Sequence, residues 1–344
     1  MRTKVGVMAL VVVGLWGLGG LSANPARAAE ERLNILCSPD PAWCEAVKRE
    51  FSKATGIQTE FVRLSSGSAL ARLRAEKGSP NFDVWFGGTG DPHWVAQAEG
   101  LTEFIRPKAW GDLRPALTKL VDGHYIPLYV GLHGFGVNEK LLKEKNLPIP
   151  ETWKELGDPK YKGLIAMPNP NTSGTGYVMM ATIVQVYGED AGFELLKAVH
   201  KDIAQYTRSG GDPSLLAGRG EVAIGVSFAN DVVERVRKGF PIRFVAPRDG
   251  TGYEIGGLSL VKGGANRGNA LKLVDWALMP ENQKLGPQNG EPSIPSNSKS
   301  TVDPDVPRFE DAKVIVYDFG KYGTPAVRDA LIKRWTEQVF PIPR

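Results

Sequence analysis

Hydroxyl-bearing residues and glycines recur in this sequence directly after short apolar runs, and that pairing suits one kind of chemistry, the holding of an anion. Ser38 follows the run 33–37; Ser65, Ser66, Gly67 and Ser68 follow 58–64; Gly87, Gly88 and Thr89 follow 83–86. Further on, a run ending at Met167 leads into Asn169, Pro170, Asn171, Thr172, Ser173, Gly174, Thr175 and Gly176, which opens a long apolar stretch. Where a strand gives way to a helix in this manner, free backbone amides and hydroxyls collect at the helix start and favour negative charge. Taken singly, each segment reads more simply as a Ser or Thr capping its own helix. Their recurrence after successive strands points to a shared cleft.

Residues for covalent chemistry or metal binding are not arranged to act. Ser296 and Lys299 match an S-x-x-K pattern, but they stand in a Pro/Ser-rich stretch with no helix pattern, and neither S-D-N nor K-T-G follows. Gly225, Val226 and Ser227 lack the final glycine of G-x-S-x-G, and no full G-x-G-x-x-G joins a strand to a helix. His93, His124, His133 and His200 show no metal-ligand spacing, and His200 is expected to cap a helix. No catalytic residue, metal or cofactor is therefore expected. Cys37 and Cys44 do not form a C-x-x-C pair and have no companion ligands, so a disulfide is expected, rigidifying the loop through Ser38, Pro39, Asp40 and Trp43. Trp43 then either walls the site or packs as core.

The N-terminus explains why a disulfide is permissible. Arg2 and Lys4, an apolar run over 5–21 and the Ala26-Arg27-Ala28 site predict a signal peptide over 1–28, cleaved after Ala28. No cysteine follows the apolar run, so no lipid anchor is expected and the chain is placed in the periplasm. The remaining 316 residues carry 39 basic and 38 acidic side chains, a net +1, because Arg2, Lys4 and Arg27 are lost with the signal. With no basic cluster, neither nucleic acid nor a membrane surface is an expected partner, and the protein is expected to be a monomer.

The elements that must position these residues alternate. Strand-like runs at 33–37, 58–64, 83–86, 126–138, 164–167, 222–226, 242–245 and 255–261 are separated by helix-like runs at 42–54, 66–77, 91–99, 139–145, 174–187, 190–200 and 229–238. Helices at 266–278, 280–285 and 324–339 follow, and the stretch 287–304 reads as an ordered surface loop. This alternation predicts an α/β fold with mostly parallel sheets.

Several segments together resemble the extracellular solute-binding proteins of ferric-iron-type ABC importers: 33–51, 61–74 with Ser65-Ser66-Gly67, 82–101 (FDVWFGGTGDPHWVAQAEGL), 172–177 (TSGTGY) and 220–226 (GEVAIGV). The resemblance implies a type II periplasmic-binding-protein fold, two α/β lobes joined by hinge strands near 129–137 and 253–261. It places lobe 1 at 29–131 plus 256–344 and lobe 2 at 132–255, with ABC permease subunits as the membrane partner. Iron-binding members carry adjacent tyrosines just after the strand that is here 222–226, whereas this chain has Ser227, Phe228, Ala229, Asn230 and Asp231 and no Tyr-Tyr pair anywhere. Ferric iron stays as the alternative cargo. The departure resembles the branch that takes phosphorylated sugars, phosphonates or similar small organic anions. By analogy Ser38, Ser65, Ser66, Gly67, Thr89, Thr172, Ser173, Gly174 and Thr175 would hold the phosphate. Ser227, Asn230, Asp231 and Glu254 would face the far end of the ligand, and Arg208 would add charge. For Asp231 the alternative is a helix N-cap, and for Arg208 a surface salt bridge.

Overall fold

The computed structural model describes residues 32–344, and the expected signal peptide with its cleavage point lies outside the described residues. Strand β1 (Arg32–Cys37) buries Leu33, Ile35, Leu36 and Cys37, as a strand covered on both faces must. Helix α1 (Pro41–Thr55) starts where Pro41 sets the backbone and Asp40 accepts from the Ala42 amide at 2.9 Å; it stops at Gly56, whose φ of 74° needs no side chain. Its inner face is Trp43, Cys44, Ala46, Val47 and Phe51. Strand β2 (Gln58–Arg63), α2 (Ser66–Ala75), β3 (Val84–Phe86) and α3 (Gly90–Ala98) complete three strand–helix units, with β1 parallel to both β2 and β3. Short β4 (Thr102–Glu103) and α4 (Pro115–Val121) lead into β5 (Ile126–Val137), every residue of which is buried.

The second set comprises α5 (Glu139–Glu144), β6 (Ile165–Pro168), α6 (Gly174–Tyr187), α7 (Glu189–Asp202), β7 (Ile203–Thr207), α8 (Asp212–Arg219), β8 (Ile224–Phe228), α9 (Ala229–Arg237) and β9 (Arg243–Val245). The chain returns through β10 (Tyr253–Val261), α10 (Arg267–Ala277), α11 (Pro280–Gln283), α12 (Leu285–Gln288) and β11 (Ile294–Pro295), and ends in α13 (Phe319–Tyr322) and α14 (Pro325–Gln338). The strand order is β2-β1-β3-β10-β5-β8-β6-β7. Strand β5 joins the halves: up to Leu132 it pairs with β10, and from His133 onward with β8. Two α/β lobes thus share one strand. Among the described residues no helix is long and apolar enough to cross a membrane.

Several expectations need correction. Strand β8 begins and ends two residues later than the apolar run 222–226 suggested, so Ser227 and Phe228 belong to the strand rather than to the loop after it. Strand β7 and helix α8 were not anticipated: β7 continues straight from α7 without a turn residue, and α8 starts inside a Gly/Asp/Pro cluster that looks like loop. The stretch 287–304 is not a surface loop along its length. Glu291, Ser293, Ser296 and Asn297 are buried, β11 pairs with β5, and the Asn297 side chain donates to the Leu278 carbonyl at 2.8 Å. Its polar groups point inward and find backbone partners, which composition cannot show. Trp43 is core, packed on Phe86 and Tyr129. His200 caps nothing; its ring lies 2.9 Å from the Tyr206 hydroxyl and 2.7 Å from the Ile342 carbonyl. Helix α14, assigned above with the first lobe, also contacts the second: Arg334 pairs with Glu189 and Asp190, and Trp335 packs on Tyr206.

Candidate functional site

The carboxyl ends of β1, β2 and β3 in one lobe and of β6, β7 and β8 in the other converge on a cavity of about 360 Å³. One wall is hydroxyl and glycine. Ser38 is held by its Oγ, which accepts from Trp85 Nε1 at 2.9 Å, and by the Cys37–Cys44 disulfide, whose Cα atoms are 6.2 Å apart. Ser66 Oγ accepts from the Thr89 amide at 3.0 Å, tying the second loop to the third. Gly88 sits at φ 88°, and a Cβ there would lie 2.4 Å from Ser66 Oγ and 2.6 Å from Ser38 Cβ. Only glycine allows this approach.

The capping alternative can be decided residue by residue. Ser173 does cap α6, accepting from the Gly176 amide at 3.4 Å. Ser65 and Thr89 stand at the N-cap positions of α2 and α3 and cap neither. Ser65 Oγ instead reaches the other lobe, donating to the carbonyls of Thr172 at 2.8 Å and Arg208 at 3.1 Å. Thr89 Oγ1 is buried with no partner beside Gly174, where a Cβ would come within 1.8 Å of it. A buried hydroxyl left unpaired costs free energy that a ligand bond would offset.

The lobes touch around this wall. The Ser68 amide donates to the Thr172 carbonyl at 3.2 Å, and Arg63 donates to Ser209 Oγ at 3.1 Å as well as to the carbonyls of Pro39 and Ser38 on its own side.

The opposite wall is acidic. Glu254 on β10 and Glu291 before β11 are both buried, and Asp231 and Asn230 stand in the first turn of α9. The Asn230 amide donates to Glu291 Oε1, while Asn230 Oδ1 has no partner. Burial, then the charge of Glu291, pushes the Glu254 carboxyl well above the ordinary range. Burial, then Asp231, does the same to Glu291. Burial raises Asp231 to about 6, against the pull of Arg235. These groups can give a proton as well as accept one. Three guanidinium groups, of Arg63, Arg208 and Arg235, share the cavity lining with them, and Arg235 Nε is buried without a partner.

Of the residues singled out from sequence, Ser38, Ser65, Ser66, Thr89, Ser173, Gly174, Thr175, Arg208, Asn230, Asp231 and Glu254 line the cavity. Gly67, Thr172 and Ser227 do not. A Cβ on Gly67 would lie 2.9 Å from the Thr172 backbone, so this pair forms lobe contact, and Ser227 is spent beneath the wall, donating to the Gly210 carbonyl at 3.0 Å. Asp231 does not sit at the N-cap position, which Phe228 occupies. Arg208 is exposed at the rim, and it is the carbonyl of this residue that bonds Ser65 and Thr172. Sequence reading missed Arg63, which looks like an ordinary strand charge, and Glu291, which stands in a Pro/Ser stretch with no periodic signal. Tyr129, whose hydroxyl accepts from the Gly88 amide at 3.2 Å, and Arg235 were missed as well.

Residues 86–321 match the family described as bacterial extracellular solute-binding protein. A protein of Haemophilus influenzae named only as uncharacterized is 40% identical over 328 residues, 93% of this chain and 94% of that one. A protein of Salmonella paratyphi A whose name proposes 2-aminoethylphosphonate binding in the periplasm is 26% identical over 254 residues, 71% of each chain. Among solved structures, the periplasmic binding protein AfuA from Actinobacillus pleuropneumoniae, with exogenous fructose-6-phosphate bound, is 37% identical with a TM-score of 0.87, covering 90% of this chain and 99% of that one.

Proposed function

Because the chain belongs to the family of bacterial extracellular solute-binding proteins, we propose that it captures a small organophosphate between its lobes and delivers it unchanged to the membrane subunits of an ABC importer. A sugar phosphate or a phosphonate is the cargo supported by the Salmonella protein and the AfuA structure. The observation that carries this reading is the two-walled cavity. Hydroxyls and guanidinium groups suit a phosphoryl group, and buried carboxyls with Asn230 suit the hydroxyls or ammonium at its other end. A ligand touching both walls favours the closed arrangement by the contacts it makes only there, and closure is the signal a permease would read.

The reading places the protein in the periplasm, as a monomer. It keeps lobe 1 at 29–131 with the return from 256 and lobe 2 at 132–255; the pairing switch between Leu132 and His133 supports the first division. From Lys313 onward the chain is better grouped with the second lobe, since Thr251 bonds the Lys313 carbonyl at 2.8 Å and Arg334 holds Glu189 and Asp190. Ferric iron is less well served. The cavity's phenol, Tyr129, is pushed well above the ordinary tyrosine range by burial and by Glu254, so a phenolate ligand is costly there. Serine catalysis is also poorly served, because Ser296 Oγ is engaged by Gln283 at 2.8 Å and Lys299 pairs with Asp112 at 2.7 Å.

Thermal unfolding of the protein with fructose 6-phosphate, 2-aminoethylphosphonate, inorganic phosphate and ferric citrate tests the proposal. A true ligand at a hundred times its Kd adds about 2.7 kcal/mol of stability. Stabilisation by an organophosphate, lost in a Ser173→Ala, Thr175→Ala double variant, is the expected result. Stabilisation by ferric citrate alone overturns it.

A further inference from the structure

Helix α14 lies outside the cavity yet makes charged contacts with both lobes. Toward the second lobe, Arg334 bonds Glu189 and Asp190, each at 2.8 Å, and Thr336 donates to Asn171 at 3.2 Å. Toward the first, Asp329 accepts from Arg74 of α2 at 3.1 Å. Gly323, just ahead of the helix, packs on α3 so closely that a Cβ would lie 2.9 Å from Trp94 Cγ. Beneath these contacts Asp91 at the start of α3 and Arg328 of α14 are both buried. Asp91 Oδ1 accepts from the Tyr317 hydroxyl at 3.1 Å, but Oδ2 has no partner. Arg328 lies over the Tyr177 ring of α6 at 5.1 Å, and its Nε and one Nη have no partner. A buried carboxylate and a buried guanidinium that face a lobe boundary without touching are costly, and an altered lobe angle would join or part them.

We propose that α14 is an interlobe strut: anchored on the second lobe, it grips the first through Arg74–Asp329, with Asp91 held by Tyr317 just ahead of it, and so sets how far the lobes close. Its leverage comes from where it grips. Helices α2 and α3 begin at Ser65 and Thr89, on the cavity wall, so a force on either helix is felt at the ligand. Burial lifts the Asp91 carboxyl to about 6 while Tyr317 and Arg328 draw it down, as befits a group held in an apolar boundary beside a cation.

The Ser68 amide reports closure directly, because its partner, the Thr172 carbonyl, is on the other lobe. Hydrogen exchange at Ser68 is therefore measured in the full chain with no solute added, so the result stands whatever fills the cavity. Asp329 is half-exposed, so Asp329→Ala is expected to leave the fold intact. It is expected to speed exchange at Ser68 about two- to fivefold, the span of a surface ion pair, with α1 unchanged. Asp91→Asn with Arg328→Gln, which removes both buried charges together, is expected to shift Ser68 further than Asp329→Ala does. Unchanged exchange at Ser68 in Asp329→Ala, with faster exchange confined to α14 itself, overturns the strut and leaves a helix docked on one lobe.

Discussion

On the wall built from Ser65, Ser66, Thr89 and Ser173 to Thr175, three segments far apart in sequence meet, and each sits at a helix start. The wall of Asn230, Asp231, Glu254 and Glu291 comes instead from a helix turn, a sheet strand and a loop some sixty residues in sequence from the helix turn it bonds. The two walls also differ in what they cost. The small hydroxyls of Ser65, Ser66 and Ser173 bond backbone groups, on their own lobe or the opposite one, whereas the carboxyls are gathered where burial opposes their charge. The first wall is shaped by backbone; the second is tuned by protonation.

Four substitutions sharpen or break that contrast. The largest effect is expected at Gly88, where alanine would have to hold φ 88° and clear Ser66 and Ser38. Gly88→Ala should lose about 3 kcal/mol in denaturant unfolding; a loss under about 1 kcal/mol would mean that the hydroxyl wall is not backbone-determined. Glu291→Gln should do the reverse. With its folded-state pKa raised above the usual glutamate value, Glu291 binds its proton more tightly in the folded chain, so wild-type stability falls as pH rises through that window. Glutamine removes this slope. Its advantage should therefore grow as pH rises above the ordinary glutamate range, while affinity for the stabilising solute drops; an advantage that does not vary with pH would remove protonation from the account.

Thr89→Val removes a buried hydroxyl that has no partner in the protein. Titration calorimetry should find affinity about tenfold weaker, and unfolding should find stability unchanged or up to about 1 kcal/mol higher. Ser227→Ala, beneath the wall, should give the opposite pattern, about 1 kcal/mol of stability lost with the Gly210 bond and affinity within about twofold. Equal effects of the two on affinity would erase the distinction between lining the cavity and supporting it.

The same contrast explains what could be read from sequence. Helix α6 runs from Gly174 to Tyr187, where its pattern places it, because Ser173 at one end and Gly188 at the other are local signals. Ser227 was misplaced by a two-residue strand boundary, enough to move a hydroxyl from the cavity to the layer beneath it. Glu291 was invisible for a different reason. Its position depends on β11 pairing with β5 and on Gln283 and Asn297 tying the loop inward, contacts that no local window contains. Arg63 likewise looks solvated on its strand until the Ser209 loop arrives from the other lobe.

The place of β10 in the sheet bears on the order in which the chain can be assembled. It lies between β3 and β5, yet it follows them by well over a hundred residues, with the strands β6 to β9 of the second lobe intervening. A chain emerging N-terminus first therefore presents β3 and β5 as two open edges until residue 261 is free, and no early fragment can complete the first lobe. Contacts of such long sequence separation form slowly. Vectorial synthesis thus holds the first lobe of this polypeptide unfinished until about three quarters of the chain has been made.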